Sequence, residues 1–182
     1  MARIGIFCFP GTGHLNPMTA LARSLERRGH SLVLFGIADV ESKVRVAGIE
    51  FRQIGARDYP LGTLFKLDQQ LGEQKGLNVF RFTVNRVKNY TRMILRDAPV
   101  AIQDSGVELL LVDEADTAGT VAEFLRLSFV SIACFPPLLR SDLIPPFVFG
   151  LELQRGIVGA IAESGWRNAA VSVRCSGARS AE

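Results

Sequence analysis

The chain has 182 residues, 48% apolar and 21% charged, which is enough for one domain with a sizeable core and excludes a disordered composition. Its net charge of +3 and pI near 9.0 come from Lys and Arg scattered along the sequence, so nucleic-acid binding gains no support. Cys8, Cys134 and Cys175 are odd in number, widely spaced and without metal-ligand spacing, which predicts a reducing, cytoplasmic setting. Only Arg3 precedes a first apolar run too short for a signal peptide, and no stretch approaches eighteen apolar residues. A spanning helix is therefore not expected, while peripheral membrane contact stays open.

Residues 4–9 are a continuous apolar run and predict a buried strand. The turn Phe9-Pro10-Gly11-Thr12-Gly13-His14-Leu15-Asn16-Pro17 follows, and Met18, Leu21, Ala22 and Leu25 then fall on one helical face. Asn16 is a good N-cap and Pro17 suits the first helical position, so His14 is expected in the turn just before the cap. Imidazole takes and returns a proton near neutrality, and two nearby glycines let a substrate approach without Cβ atoms in the way. The plain alternative is a histidine that only hydrogen-bonds within a tight loop. Gly11 and Gly13 match the first two places of a dinucleotide fingerprint, but Asn16 holds the third, and no Gly-Lys-Ser/Thr follows. Neither nucleotide motif is present.

Residues 31–35 predict a second strand, 39–47 a short helix closed by Gly48, and 49–54 a third strand. That alternation implies parallel strands with right-handed crossovers in a doubly wound α/β sheet. After a loop over 55–62, a short helix is expected over 64–73, interrupted by Gly72 and Gly76. A longer helix follows, with Phe80, Val84, Val87, Ile94 and Leu95 on one face and Arg81, Asn85, Lys88, Arg92 and Arg96 on a solvated one. Pro99 is expected to kink or restart it. Phe65, Phe80, Phe82 and Tyr90 read as core, with part of an acceptor pocket as the other use. Residues 107–112 predict a fourth strand ended by Asp113, Glu114 and Asp116, then a helix over 117–127 and a strand over 128–133. Pro136, Pro137, Pro145 and Pro146 enforce an extended loop beyond it.

A doubly wound chain winds outward from its first strand and then returns, so that its fourth strand lies beside the first. That rule places His14 and Asp113 over one crevice. A carboxylate bonded to one imidazole nitrogen fixes the tautomer and stabilises the imidazolium formed at the other. Glu114 and Asp116 read instead as caps of the following helix, although three acids within four positions leave the choice of partner open.

The turn from Phe9 to Met18 resembles the N-terminal signature of the UDP-glycosyltransferase superfamily, the two-Rossmann-domain GT-B type. It is most similar to bacterial members that glycosylate lipophilic acceptors such as carotenoids and macrolides. Val112-Asp113 and the segment through Phe129-Val130-Ser131 look like the same branch. The resemblance implies an inverting hexosyltransferase lineage with a UDP-sugar as co-substrate and no other cofactor; no metal is expected, since His14 and His30 lie apart and no carboxylate-rich cluster appears. It implies His14 as general base with Asp113 as its partner, and Gly11, Thr12, Gly13 and Asn16 on the acceptor side.

The resemblance covers residues 1–150, an expected Rossmann-like acceptor-binding domain. All twelve Phe and all eight Pro lie before residue 151, and residues 151–182 are rich in Ala, Gly, Ser and Arg. This divergent tail predicts poor order and lacks the family's donor-binding domain. The expectation is an acceptor-side part, truncated, frame-shifted or split from its donor half, and inactive alone. The alternative is a non-catalytic small-molecule-binding module, or one half of a split enzyme docking on a separate donor-binding domain.

Overall fold

The computed structural model describes residues 1–134. The proline-rich loop, the boundary at residue 150 and the tail over 151–182 lie outside the described residues.

Five parallel strands, β1 (Arg3–Phe7), β2 (Ser31–Gly36), β3 (Glu50–Gln53), β4 (Leu109–Asp113) and β5 (Ser128–Ile132), form one sheet in the order β3-β2-β1-β4-β5. The helices are α1 (Thr12–Glu26), α2 (Glu41–Val46), α3 (Thr63–Glu73), α4 (Leu77–Gln103) and α5 (Ala118–Leu125). The chain winds out from β1 through β2 to β3 and returns to lay β4 against β1, with Phe7 beside Val112. This is the doubly wound, Rossmann-like arrangement that the strand-helix alternation predicts.

The central strands β1, β2 and β4 are largely apolar because both faces of the sheet are covered there. Ile4, Ile6, Leu32, Leu34 and Leu111 pack with Leu15, Met18 and Ala22 of α1 and Val44 of α2. Phe7, Val33, Phe35, Leu110 and Val112 pack on the other face with Met93, Ile94 and Ala98 of α4 and Val121 and Ala122 of α5. Assignment to the two faces follows the alternation of strand side chains. Gly5 sits where the neighbours on either side close in, since a Cβ there would lie 2.5 Å from Leu110 Cδ2 and 3.0 Å from Phe35. At the amino ends of the strands, Arg3 donates to the Ser105 carbonyl, to Ser31 Oγ and to both Glu50 carboxylate oxygens, at 2.7–3.1 Å.

Several local expectations need correction. Helix α1 begins at Thr12 with Gly11 as its N-cap, so Asn16 is not the cap and Pro17 lies inside the helix. Pro17 removes only the hydrogen bond to the Gly13 carbonyl, and both residues are exposed, so water can serve that carbonyl. Gly72 does not interrupt α3, which runs on to Glu73; Gly76, at φ 56°, is where the chain breaks before α4. Helix α4 is unbroken over 27 residues, and Pro99 sits within it between buried Ala98 and Ile102. Its predicted apolar face is only half covered. Tyr90, Met93, Ile94, Ala98 and Ile102 are buried, whereas Phe80, Val84 and Val87 are exposed.

Candidate functional site

The site is assembled where β1 and β4 end side by side. After β1 the chain turns through Phe9 and Pro10, and the Gly11 carbonyl accepts from the amides of His14 at 3.0 Å and Leu15 at 2.9 Å. Those bonds start α1 at Thr12, so His14 is the third residue of the helix rather than a turn residue. Leu15 and Met18, 2% and 1% exposed, hold that first turn onto the sheet. Burial of these two side chains substitutes for the side-chain cap that the helix lacks.

Asp113 closes β4 and is fully buried. Its Oδ2 lies 2.5 Å from His14 Nδ1 and accepts from the Phe9 amide at 3.4 Å, while Oδ1 accepts from the Ala115 amide at 3.1 Å. A buried carboxylate is costly unless its oxygens are partnered, and here both are. In the tautomer that carries its proton on Nδ1, His14 donates to Asp113 Oδ2. The Phe9 ring meets the imidazole edge-on at 5.5 Å between centroids and Tyr90 at 5.7 Å.

The two acids read from the sequence as caps behave differently from one another. Asp116 precedes the N-cap Thr117 rather than being the cap itself, and its Oδ1 accepts from the Ala118 amide at 2.9 Å. Its Oδ2 also accepts from the Tyr90 hydroxyl at 3.4 Å. Burial, with the neighbouring Asp113 charge adding to it, pushes the Asp116 carboxyl up to about 6 against the hydrogen bond from Ala118. Burial likewise drives the Tyr90 phenol well above its ordinary value. Glu114 does not cap α5 through its side chain; its amide donates to the Ile132 carbonyl, and its buried Oε1 has no partner among the described residues.

Cys134 joins the group from just beyond β5. The ligand atoms of His14, Asp113 and Cys134 all lie within 4.8 Å of one another. Their donor types suit zinc, but two ligands sharing a zinc at about 2.0 Å each stand about 3 Å or more apart. The 2.5 Å between His14 Nδ1 and Asp113 Oδ2 is a hydrogen-bond separation instead. Burial holds the Cys134 thiol protonated, at about 11.

Beside the turn that follows β1 lies a cavity of about 580 Å³. Phe9 and Gly11 wall it on one side and Leu64, Phe65 and Val87 on the other, with Asp39, Lys43 and Arg86 among its polar lining. Lys43 Nζ donates to Thr12 Oγ1 at 3.1 Å, and Asp39 holds the Gly62 amide at 3.0 Å through Oδ1. Of the four residues expected on the acceptor side, Gly11 and Thr12 line this cavity; Gly13 and Asn16 lie farther along α1, exposed. The sequence reading missed Asp39, Lys43 and Cys134. Asp39 and Cys134 lie just beyond the carboxyl ends of β2 and β5, the edge where such sheets gather their sites, so position could have flagged them, whereas Lys43 reaches Thr12 from within α2.

The model of the glycosyltransferase family 28 N-terminal domain matches residues 8–134. Zeaxanthin glucosyltransferase of Pantoea ananas is 29% identical over 155 residues, covering 82% of this chain and 36% of that protein. The enzyme of the same name from Pseudescherichia vulneris is 31% identical over 147 residues, covering 80% of this chain and 34% of its own length. The chain thus spans about a third of the length of these curated relatives. Among solved structures, CalG4, the calicheamicin glycosyltransferase, superposes with a TM-score of 0.56 at 19% identity, over 82% of this chain and 34% of that one. That likeness is one of fold.

Proposed function

The chain belongs to the glycosyltransferases whose family 28 N-terminal domain it carries over residues 8–134, and we propose that it forms the acceptor-binding side of an inverting transfer from a UDP-sugar to a hydroxyl of a lipophilic small molecule. The observation that carries this reading is the His14 Nδ1–Asp113 Oδ2 pair at the carboxyl edge of neighbouring parallel strands. The acceptor hydroxyl attacks the anomeric carbon of the sugar while its proton passes to His14 Nε2. The bond from the anomeric carbon to the diphosphate oxygen breaks, and the UDP leaves with that electron pair. Asp113 keeps the ring oriented and stabilises the imidazolium as it forms. Because Asp113 is held by the Phe9 and Ala115 amides as well, the pair needs little reorganisation during transfer.

A lipophilic acceptor is supported by the apolar part of the adjacent cavity, where Phe9, Leu64, Leu71 and Val87 leave a hydrocarbon surface beside the base. It is supported also by the substrate named in the two zeaxanthin glucosyltransferases. Gly11 and Thr12, together with Asp39 and Lys43, are the groups available to orient the reacting hydroxyl.

The test is a chimera joining residues 1–134 to the remainder of the Pantoea ananas enzyme, assayed for glucosylation of a hydroxylated carotenoid. His14→Ala is expected to lower kcat by about 10²–10⁴-fold and to leave donor binding unchanged. Undiminished turnover in His14→Ala would remove the histidine from the mechanism.

A further inference from the structure

Residues 61–96 hold seven basic and two acidic residues, within a chain whose total excess is only +3. From Leu77 to Arg96 there are five cations and no acid at all. Two of the cations are engaged: Arg86 pairs with Asp68, and Arg96 with Asp58 and Asp97. Arg81, Lys88 and Arg92 are exposed and enter no ion pair among the described residues. At 100° per residue they fall beside the stripe formed by Leu77, Phe80, Val84 and Val87. That stripe is exposed too, Leu77 by 83% and Phe80 by 66%, and Phe65 of α3 adds a ring exposed by 74%.

We infer that this face of α3 and the first half of α4 docks on an anionic lipid surface. An amphipathic helix with exposed aromatic and aliphatic groups flanked by cations is suited to the boundary between headgroups and acyl chains. Anionic headgroups supply the countercharge that Arg81, Lys88 and Arg92 lack. A second copy of the chain would bring the same cations against themselves. Residues 135–182, with five basic and four acidic residues, carry no acidic surplus to offer.

The cavity lined by Phe9, whose ring meets His14, connects with this face, since Phe65 and Val87 belong to both. A hydrophobic acceptor dissolved in the bilayer could then reach the base without crossing water. That consequence rests on the glycosyl-transfer reading; the docking itself does not.

The experiment is sedimentation of the full 182-residue chain with vesicles of phosphatidylcholine alone or mixed with phosphatidylglycerol. Binding is expected to the mixed vesicles, to weaken with salt, and to fall about a hundred-fold in Arg81→Glu/Lys88→Glu/Arg92→Glu. Phe65→Ser/Phe80→Ser should weaken it without altering circular dichroism, because both side chains are exposed. Arg27→Glu/Arg28→Glu, on exposed residues after α1, should leave binding intact. Equal binding to neutral vesicles, no binding to either, or full binding by the triple variant would overturn the inference. A chain that light scattering finds dimeric, and that the triple variant renders monomeric, would instead assign the face to a second copy. His14→Ala should bind vesicles normally, so a failure of docking and a failure of the catalytic reading are separable.

Discussion

The two halves of α4 carry one apolar stripe but have different fates. From Tyr90 to Ile102 the stripe lies on the sheet, with Ile94 and Ala98 fully buried. From Leu77 to Val87 it continues partly exposed beside α3, and Val84 and Val87 are each 47% exposed. The same periodicity thus describes a core contact in one half and an open surface in the other. Helical patterning fixes which face is apolar; it does not say what lies opposite. The covered half packs on the strands that carry Asp113, and the open half lines part of the cavity.

Truncation should separate the halves most sharply. Ile94→Ala removes fully buried methylene groups facing the sheet and is expected to cost about 2–5 kcal/mol, whereas Val84→Ala should stay within about 0.5 kcal/mol. Urea unfolding of both variants measures the contrast, and equal losses would show that the first half of α4 is packed as firmly as the second.

The next largest effect concerns the place where the covered half begins. Tyr90 donates to Asp116, whose carboxyl is raised to about 6 by burial, with Asp113 adding to it. A raised acid binds its proton more tightly in the folded state, so the folded form is favoured at low pH. Stability should therefore fall as pH rises from the ordinary carboxylate range near 4 to about 6, and level off above. The magnitude is on the order of a few kcal/mol. Asp116→Asn keeps an oxygen for the Ala118 amide and removes the titration, so this component should vanish from thermal melts between pH 4 and 7. An unchanged pH profile would mean that Asp116 is not a buried acid.

A smaller effect tests the packing of Met93. Gly55 has φ +67°, and a Cβ there would stand 2.8 Å from Met93 Sδ. Gly55→Ala should destabilise by more than about 1 kcal/mol, while Gly72→Ala, with nothing within 4 Å of the new methyl, should be neutral or stabilising. If both substitutions were silent in the same unfolding assay, the contact between the 55 loop and α4 would be looser than drawn.

Much of the fold could be read from the chain because continuous apolar runs marked β1, β2 and β4, and the topology rule then required β4 to lie beside β1. That rule brings His14 and Asp113 together from the sequence alone. The start of α1 was not legible, because Gly11 caps through its backbone carbonyl while Asn16 and Pro17 offered the stronger side-chain signal. Asp116 reads as a cap, yet Thr117 holds that place and Asp116 bonds the first helical amide from one residue before it; its burial under Tyr90 depends on where α4 settles across the sheet. Gly72 misled for a related reason: a glycine weakens a helix by an amount that neighbouring turns can absorb. The exposure of Phe80, Val84 and Val87 is a property of what surrounds α4, which no periodicity contains.

The central claim is that His14 is a base oriented by Asp113, and a double-mutant cycle in the chimeric enzyme tests it most directly. Single-turnover rates would be compared for His14→Ala, Asp113→Asn and the double variant, with Glu114→Gln and Asp116→Asn alongside. Asp113→Asn is expected to slow transfer by at least about tenfold without changing donor affinity, because it removes the charge that stabilises the imidazolium. It should add little to His14→Ala, since without the base there is nothing left to orient. Glu114→Gln and Asp116→Asn should remain near the parent rate. A silent Asp113→Asn beside a crippling Glu114→Gln or Asp116→Asn would contradict the account.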